Sequence, residues 1–366
     1  MAKLRVGLLY GGRSVEHEVS IASATSILEA LDPSRYDVEL IAVDPAGRWH
    51  LGCGDLPPAA VVERGARISP PSAARNGELF AADGPSPGRA ATRLDVVFPI
   101  IHGSGGEDGS LQGLLELAGL PYVGARVLGS ALQMDKDVAK RLLAAAGLPV
   151  VPWRTLRDGD LARGPDARAA RRVVEDLGFP LFVKPANSGS SVGTSRADDD
   201  ASFRAALAEA ARYDTKVLVE KAVDAREIEV AVIGNEAPRA SLPGEIAQQH
   251  AFYDYESKYA DESTELLVPA PLDEALTEQI RALALEAYRS LEGEGFARVD
   301  FLLDRGDGAL YINELNSLPG FTEASMFPLM WQATGLEYPE LLDRLIELAI
   351  ERHARRARLE TTYRRG

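Results

Sequence analysis

Two carboxylates and an amide near the C-terminal end of the chain could bind metal ions. Residues 297–303 and 309–315 are apolar, alternating stretches joined by a Gly-rich turn, a pattern that predicts a β-hairpin. Counting back through the turn places Asp300 roughly opposite Glu314. Because side chains alternate across a strand, we expect Asn316 on the same face as Glu314.

This face of the hairpin would gather two like charges, while the alternation places Asn313 and Leu315 on the opposite face. Two carboxylates at directly opposite positions of a hairpin repel each other unless a cation lies between them. A set of oxygen ligands favours Mg²⁺ or Mn²⁺ over zinc. The alternative is an exposed sheet face that carries acids without a ligand.

A lysine followed by small residues could bind phosphate. Residues 182–193 predict a strand that ends at Lys184 and enters a loop of Gly and Ser, whose amide groups can close on phosphate oxygens. The loop is not a Walker A motif, because the lysine precedes the glycines. Residues 217–221 predict an apolar strand ending in Glu-Lys, whose backbone could seat a purine. An ordinary turn is the alternative interpretation of the loop.

Two further Gly-rich segments follow predicted strands. Residues 102–113 begin with His102 and lie at the carboxyl end of a strand, where open α/β sheets bind ligands. Their glycines allow the backbone to approach a small substrate, although a lone histidine is often structural. Residues 11–20 include Glu16, whose alternative role is an acid that complements the dipole of the helix it precedes.

The elements that would position these residues alternate between strand and helix in the first third of the chain. The predicted strands are 6–10, 38–43, 94–101 and 121–124, and the predicted helices are 19–31 and 111–118. This alternation predicts a parallel sheet covered on both faces. Residues 44–93, rich in Pro, Gly and Ala, predict a surface insertion that could contain a hairpin and carries no chemistry.

The remainder of the chain alternates less regularly. Predicted helices cover 131–146, 167–177, 201–211 and 274–291, and predicted strands cover 216–219 and 227–233. Residues 248–264 are mostly polar and show neither the helical nor the strand periodicity of apolar residues, so we expect a loop. Loops of that length are usually functional or mobile.

The composition is that of a globular enzyme. The 366 residues are 46% hydrophobic and 26% charged, enough for two or three compact units. A net charge of −15 disfavours nucleic acid and membranes as partners, and we interpret the Arg-rich residues 351–366 as a solvated helix end. The single cysteine, Cys53, and an N-terminal apolar run too short for a signal peptide predict a cytoplasmic protein.

Seven motifs in sequence order resemble those of the D-alanine–D-alanine ligases of the ATP-grasp superfamily. They are GGRSVEHEVS, HGSGGEDGSLQG, MDKDVAK, VKPANSGSSVG, FYDYESKY, ARVDF and NELNSLPGFTEAS. The resemblance implies an α/β (α+β) ATP-grasp fold with three domains: a Rossmann-like parallel sheet in residues 1–130, a central lid in 131–223 and a catalytic domain in 224–366. ATP would lie between the last two domains.

The resemblance also implies ligands for ATP and for two Mg²⁺ or Mn²⁺ ions. The residues similar to the family's ATP contacts are Lys136 and Lys184 at the phosphates, Ser190 and Ser191 in the phosphate loop, Glu220, Lys221, Ala222 and Val223 at the adenine, and Glu227 at the ribose. Some relatives carry an aromatic residue where this chain has Ala222. The residues that resemble the metal ligands are Asp300, Asn316 and Glu314, the last bridging both ions.

The implied reaction has two steps. ATP phosphorylates the carboxylate of one D-alanine, and the amine of a second D-alanine then displaces phosphate from the acylphosphate. The residues that resemble those at the family's reaction centre are Glu16 at the first ammonium, His102 near the first carboxylate, Arg298 and Gly320 at the oxyanion, Ser325, Met326 and Lys258 at the second substrate, and Ser190 and Tyr259 in a closing set with Glu16. A homodimer is implied in the same way.

Three alternatives remain open: a D-alanine–D-lactate ligase, another ATP-grasp amide ligase, and a nucleotide-binding regulatory protein without catalysis. Relatives that make the ester carry a histidine in the loop where this chain has Tyr-Glu-Ser-Lys-Tyr, so the amine is favoured as the nucleophile. The full set of lysines, carboxylates and Arg298 argues against a protein that has lost catalysis.

Overall fold

The computed structural model describes residues 3–71, 78–82, 90–162, 168–247 and 265–360. Within these ranges the chain folds into three sheets flanked by helices, which confirms the predicted α/β class. The strands are β1 (Leu4–Gly11), β2 (Tyr36–Val43), β3 (Trp49–Leu51), β4 (Ala66–Ser69), β5 (Glu78–Ala81), β6 (Ala90–Arg93), β7 (Val96–Pro99), β8 (Trp153–Arg157), β9 (Leu181–Pro185), β10 (Ser195–Ala197), β11 (Lys216–Lys221), β12 (Ala225–Ile233), β13 (Arg239–Ala240), β14 (Gly244–Ala247), β15 (Glu265–Leu267), β16 (Phe296–Asp304) and β17 (Leu310–Asn316). The helices are α1 (His17–Ala30), α2 (Pro58–Arg64), α3 (Ser110–Leu117), α4 (Val127–Met134), α5 (Lys136–Ala145), α6 (Asp158–Leu161), α7 (Arg168–Leu177), α8 (Asp200–Ala210), α9 (Glu274–Ser290), α10 (Met326–Ala333) and α11 (Tyr338–Arg356).

The first sheet has a parallel centre and an antiparallel side. Its order is β6-β5-β4-β3-β2-β1-β7; β1 is parallel to β2 and β7, and the pairs from β2 to β6 are antiparallel. The prediction of a parallel sheet is therefore wrong beyond β2. The described parts of residues 44–93 contain antiparallel hairpins, which confirms that part of the prediction, but they do not lie only at the surface, because their strands extend this sheet and bury Leu51, Ile68 and Leu79. Strands of three or four residues show too few alternating positions to be predicted.

Two other predictions in this half of the chain are also wrong. The predicted helix 131–146 is two helices, because Asp135 has an extended backbone and its side chain accepts the Val138 N–H as the N-cap of α5. Residues 121–124 do not form a strand; Tyr122 makes a single bridge to Val97.

The second and third sheets are antiparallel. The second has the order β10-β9-β11-β8, and the third has the order β15-β14-β12-β16-β17, with β13 beside β12. The β16–β17 hairpin has the predicted register, with Asp300 opposite Glu314. Phe301 then pairs with Ile312, so the strand contains a bulge in which Asn313 is the extra residue.

The bulge changes the face on which Asn313 lies. Leu315 is buried in the core, as expected, whereas Asn313 is only partly buried, like Glu314, and its Oδ1 accepts from Lys184 Nζ at 3.4 Å. The prediction that Asn313 and Leu315 share a face is therefore wrong, because one extra residue shifts the alternation by one position.

The largest hydrophobic core joins the first sheet to α10 and α11. At the end of α11, Arg352 is buried and donates hydrogen bonds to the backbone carbonyls of Tyr122 and Gly124. The interpretation of residues 351–366 as a solvated helix end is thus wrong for Arg352, while residues 361–366 lie outside the described ranges.

The first sheet ends at Pro99, and the second and third sheets adjoin between Lys221 and Ala225. The domain boundaries after residues 130 and 223 stay a prediction. Within the described ranges, no helix combines the length and the apolar character that a bilayer-spanning segment requires.

Candidate active site

A cleft of about 1230 Å³ lies where the three sheets meet, large enough for a nucleotide and small substrates. The predicted site residues that line it are Glu16, His102, Lys136, Lys184, Ser190, Ser191, Glu220, Lys221, Val223, Glu227, Arg298, Asp300, Glu314, Asn316, Gly320, Ser325 and Met326. Ala222 lies outside this lining, and its N–H donates to Pro180 O at 3.0 Å. Lys258 and Tyr259, with the whole predicted loop 248–264, lie outside the described residues.

The Gly/Ser loop after β9 contacts the segment that follows β1. Ser190 Oγ donates a hydrogen bond to Glu16 Oε1, the contact that the family resemblance implies for these two residues. Ser190 and Ser191 have φ angles of 47° and 57°, in the left-handed region that non-glycine residues rarely adopt. Backbone strain of this kind is costly and persists where the surrounding structure imposes it, often at a functional loop.

His102 is held by contacts at both ring nitrogens. Nδ1 lies 2.9 Å from Leu318 O, and Nε2 lies 3.3 Å from Ser23 Oγ. A carbonyl oxygen can only accept, so the neutral ring carries its proton on Nδ1 and accepts from Ser23 at Nε2. Burial lowers the pKa of His102, against the opposing effect of the Glu16 charge, so the ring is neutral near pH 7.

A second carboxylate, Glu107, lies near Glu16. Its Oε1 accepts the Gly103 N–H at 2.7 Å. Burial, and then the charge of Glu16, raise the pKa of Glu107 to about 8. A Cβ atom at Gly103 would lie 2.9 Å from Glu16 Oε2, so this glycine allows the backbone to pass close to the acid.

Two lysines enter the cleft from different elements. Lys136, the first residue of α5, donates from Nζ to Ser188 O at 2.7 Å and lies 3.4 Å from Glu314 Oε2. Lys184, on β9, places Nζ 2.6 Å from Glu220 Oε2. Positive charge therefore lies between the Gly/Ser loop and the acidic face of the hairpin.

The acidic face of the hairpin also binds an arginine. Nε and Nη2 of Arg298 donate to the two oxygens of Asp300, each at 2.7 Å, and Nε lies 3.1 Å from Glu229 Oε2. Burial alone would lower the pKa of Arg298, but the charges of Asp300 and Glu229 outweigh it and raise the pKa. Two side-chain cations, Arg298 and Lys136, thus lie beside the two carboxylates, and the metal ion expected between them stays a prediction.

The donor atoms on this face fit a hard divalent cation. Asp300, Glu314 and Asn316 offer only oxygen ligands, which suit Mg²⁺ or Mn²⁺. Asn316 Nδ2 donates to Asp300 Oδ2 at 2.8 Å, so the amide oxygen can face away from that carboxylate. In the described part of the chain, no three His, Cys, Asp or Glu side chains converge as a metal-binding group. An ion here would complete its shell with amide, phosphate or water oxygens.

The segment before α10 forms the far wall of the cleft. Ser325 Oγ accepts the Thr322 N–H at 3.1 Å and lies 2.7 Å from Thr322 Oγ1. A Cβ atom at Gly320 would lie 3.2 Å from the same Oγ, so the backbone of Gly320 and the Ser325 hydroxyl are neighbours. Met326 begins α10 directly after Ser325.

Sequence reasoning assigned no role to five side chains in or beside the cleft: Ser23, Glu107, Lys140, Glu229 and Asn313. Lys140 follows Lys136 by four residues, a spacing that predicts a shared helix face. Glu229 follows Glu227 by two, a spacing that predicts a shared strand face. These two signals were present in the sequence, whereas the bulge that redirects Asn313 had none.

Comparisons with known proteins agree with this geometry. The family models described as "D-ala D-ala ligase N-terminus" and "D-ala D-ala ligase C-terminus" match residues 5–125 and 142–347. D-alanine–D-alanine ligase A of Chromobacterium violaceum is 52% identical over 361 residues, which cover 96% of each chain. D-alanine–D-alanine ligase of Shouchella clausii is 47% identical over 99% of each chain.

Solved structures give the same result. The D-alanine–D-alanine ligase from Coxiella burnetii superposes with a TM-score of 0.83 at 39% identity, covering 98% of this chain and 97% of its own. The VanG D-Ala:D-Ser ligase from Enterococcus faecalis has a TM-score of 0.84 at 32% identity, covering 95% of this chain and 100% of its own. These likenesses confirm the predicted ATP-grasp fold. The chain belongs to the D-alanine–D-alanine ligase family.

Proposed function

We propose that this chain joins two D-alanines to D-alanyl-D-alanine at the expense of ATP, releasing ADP and phosphate through an acylphosphate intermediate. The product would serve as a precursor of the bacterial cell wall. The observation that carries the proposal is the position of Lys136, whose Nζ contacts both Ser188 in the Gly/Ser loop and Glu314 on the hairpin. A phosphate donor held by the loop would therefore lie opposite the acidic face within one cleft.

In this proposal ATP lies between the second and third sheets. Its phosphates contact Lys136 and Lys184 and the loop that carries Ser190 and Ser191, where lysine charge and backbone amides favour an anion. The remaining contacts are to the adenine, from the chain around Glu220, Lys221, Ala222 and Val223, and to the ribose, from Glu227.

We also infer that Asp300, Glu314 and Asn316 hold two divalent ions, Mg²⁺ or Mn²⁺, with Glu314 shared between them. When bound, the ions would stabilise the negative charge of the transferred phosphoryl group. The support is the oxygen-only donor set and the position of Glu314 beside Lys136, at 3.4 Å.

The first D-alanine would lie near Glu16 and His102. Glu16 is 8% exposed and held by Ser190, so its carboxylate is fixed where an ammonium group could pair with it. His102 is neutral and anchored to Leu318 O, and it would contribute its ring beside the substrate carboxylate. A buried, fixed pair of groups limits the orientations of a small substrate.

The reaction centre proper would use Arg298 and the N–H of Gly320. Both would donate to the oxyanion of the tetrahedral intermediate, a form of stabilisation that acts best in a water-excluded cleft. Ser325 and Met326, at the start of α10, would receive the carboxylate of the second D-alanine, next to amides that attract anions.

The likeness to a D-Ala:D-Ser ligase makes the second substrate the point to test. Phosphate release from ATP should depend on D-alanine. When D-alanine, D-serine and D-lactate compete at equal concentration near pH 7, mass spectrometry should find D-alanyl-D-alanine as the main product. A different main product would overturn the proposal that the amine of D-alanine is the nucleophile. The proposal that the protein is an ATP-dependent ligase would still stand. A rate of phosphate release that does not depend on D-alanine would instead support the alternative of a nucleotide-binding regulatory protein.

We further propose that the protein works in the cytoplasm as a homodimer. The consumption of ATP and the single cysteine, Cys53, support the compartment. Light scattering of the purified protein should give twice the mass of the chain, and a monomeric mass would overturn the dimer.

A further inference from the structure

A buried lysine lies behind the proposed nucleotide site. Lys140, on α5, has a 2% exposed side chain, and its Nζ lies 2.9 Å from Glu220 Oε1. The other oxygen of Glu220 lies 2.6 Å from Nζ of Lys184. One carboxylate thus joins two lysines, and of the two only Lys184 lines the cleft.

The charges of this cluster do not cancel. Burial alone would raise the pKa of the Glu220 carboxyl, but the charges of Lys140 and Lys184 outweigh it and hold the pKa at about 2. Glu220 and Lys184 by themselves would form a neutral pair, which attracts an anion weakly. Within the cluster of Lys140, Lys184 and Glu220, two positive charges and one negative charge leave one net positive charge, which faces the separate carboxylate of Glu314 across the cleft.

The geometry leaves Lys184 able to bind an anion while it keeps its contacts. A lysine ammonium group has three hydrogens. The Lys184 Nζ lies 2.6 Å from Glu220 Oε2 and 3.4 Å from Asn313 Oδ1, so two hydrogens serve to position it. A third hydrogen of the same Nζ can donate to a phosphate oxygen.

We propose that Lys140 is a positioning residue for ATP: by sharing the Glu220 carboxylate, it prevents that carboxylate from neutralising the phosphate-binding charge of Lys184. The inference rests on the phosphate-binding role proposed for Lys184. Lys140 itself does not touch the nucleotide. Burial lowers the pKa of Lys140, and the Glu220 charge opposes that change. The pKa of Lys184 is raised, because the charges of Glu220 and Glu314 together outweigh its burial.

The test is a charge-balance cycle measured as the Kd for ADP with Mg²⁺ by titration calorimetry. Lys140→Met should weaken ADP binding by about tenfold, because Lys184 is then fully paired with Glu220. Lys140→Met should change the Kd little when it is added to Glu220→Gln in a double variant, because no carboxylate then remains to neutralise Lys184; the comparison with Glu220→Gln alone cancels any direct contact of Glu220 with the nucleotide. The KM for D-alanine at saturating ATP should not change in Lys140→Met.

Two further variants separate this inference from its alternatives. Lys216 is a largely buried lysine on β11, the strand that also carries Glu220, and its side chain pairs with Asp135. Lys216→Met should leave the Kd for ADP unchanged. Equal weakening in Lys140→Met and Lys216→Met would overturn the proposal, because it would indicate a general loss of packing. Lys184→Met should bind ADP poorly; normal binding by this variant would overturn the phosphate site itself.

The double variant decides the matter even if Lys140→Met alone does not fold. Thermal melting first establishes that the double variant is folded. A folded double variant that binds ADP about tenfold more weakly than the folded Glu220→Gln variant would overturn the proposal, since neither protein has a carboxylate for Lys140 to share. An unchanged Kd in a folded Lys140→Met variant would overturn it as well.

Discussion

Arg298 binds Asp300 through two parallel hydrogen bonds, from Nε to Oδ1 and from Nη2 to Oδ2, each 2.7 Å long. The two residues lie two positions apart on β16, so their side chains leave the same face of the strand. Glu229 on the neighbouring strand gives Arg298 a second carboxylate at 3.1 Å. If a metal ion bound Asp300, Glu229 would therefore still hold Arg298 in place.

Replacing Glu314 with glutamine should nearly abolish turnover and leave the fold intact. The charge of Glu314 is what both proposed ions share, and its loss should cost on the order of several kcal/mol of transition-state stabilisation. Steady-state phosphate release measures this effect. Glu245→Gln is the control, because Glu245 is also a glutamate of the third sheet but is buried and pairs with Arg226 at 2.7 Å. Near-normal turnover of Glu314→Gln at ordinary Mg²⁺ would exclude Glu314 as a metal ligand.

Arg298→Lys should lower kcat by about 10²- to 10³-fold with little change in the Kd for ATP. Lysine keeps the charge but cannot make the bidentate hydrogen bonds to Asp300. It also lacks the second N–H group that arginine could donate to the oxyanion. Rapid-quench measurement of phosphate release, together with a separate binding titration, would distinguish the two effects. If kcat stayed normal, Arg298 would have no part in the chemical steps.

Gly103→Ala should raise the KM for D-alanine, because the new Cβ would lie 2.9 Å from Glu16 Oε2 and push on the proposed ammonium site. Gly103 has a φ of 76°, so alanine there should also cost about 1 kcal/mol of stability. Gly105→Ala is the control, since Gly105 has a φ of 85° with nothing within 4 Å of the Cβ position. An equal KM in the two variants would mean that Glu16 does not contact D-alanine.

The contribution of Glu107 to the stability of the protein should fall as the pH rises from about 5 to about 8. Burial and the Glu16 charge raise the pKa of Glu107 from 4.5 to about 8. Between these values the folded protein keeps a proton that the unfolded chain has released, so each increase in pH favours unfolding. The contribution of Glu107 is full below pH 4.5 and is lost as the pH passes 8.

Glu107→Gln should therefore raise the Tm, relative to the unmodified protein, by more at pH 8 than at pH 5. Because Glu107 is only partly buried, the gain at pH 8 should be on the order of 1 kcal/mol. Glu116→Gln should do the reverse and lose stability at pH 8. Burial alone would raise the pKa of Glu116, but the hydrogen bonds from Arg126 and Tyr122 and the charge of Arg126 together outweigh it and lower the pKa. A Glu107→Gln variant with the same Tm profile as the unmodified protein would contradict the raised pKa.

Local pattern in the chain is enough to predict the parts of the site that lie on one element or one hairpin. The Asp300–Glu314 register follows from strict alternation and a short turn, both of which involve neighbouring residues only. The Gly/Ser loop after Lys184 and the Gly-rich segment at His102 are recognisable for the same reason. The order of seven such motifs is specific enough to predict the family and its fold.

The tertiary structure decides which of these parts touch and what charge each one carries. Lys140 acquires a role only because α5 packs against the strand that carries Glu220, and no local period in the sequence reports that packing. Asn313 faces the cleft only because the strand bulges at that residue. Contacts of this kind depend on which surfaces are buried together across the whole chain, whereas periodicity reports the direction of side chains along a single element.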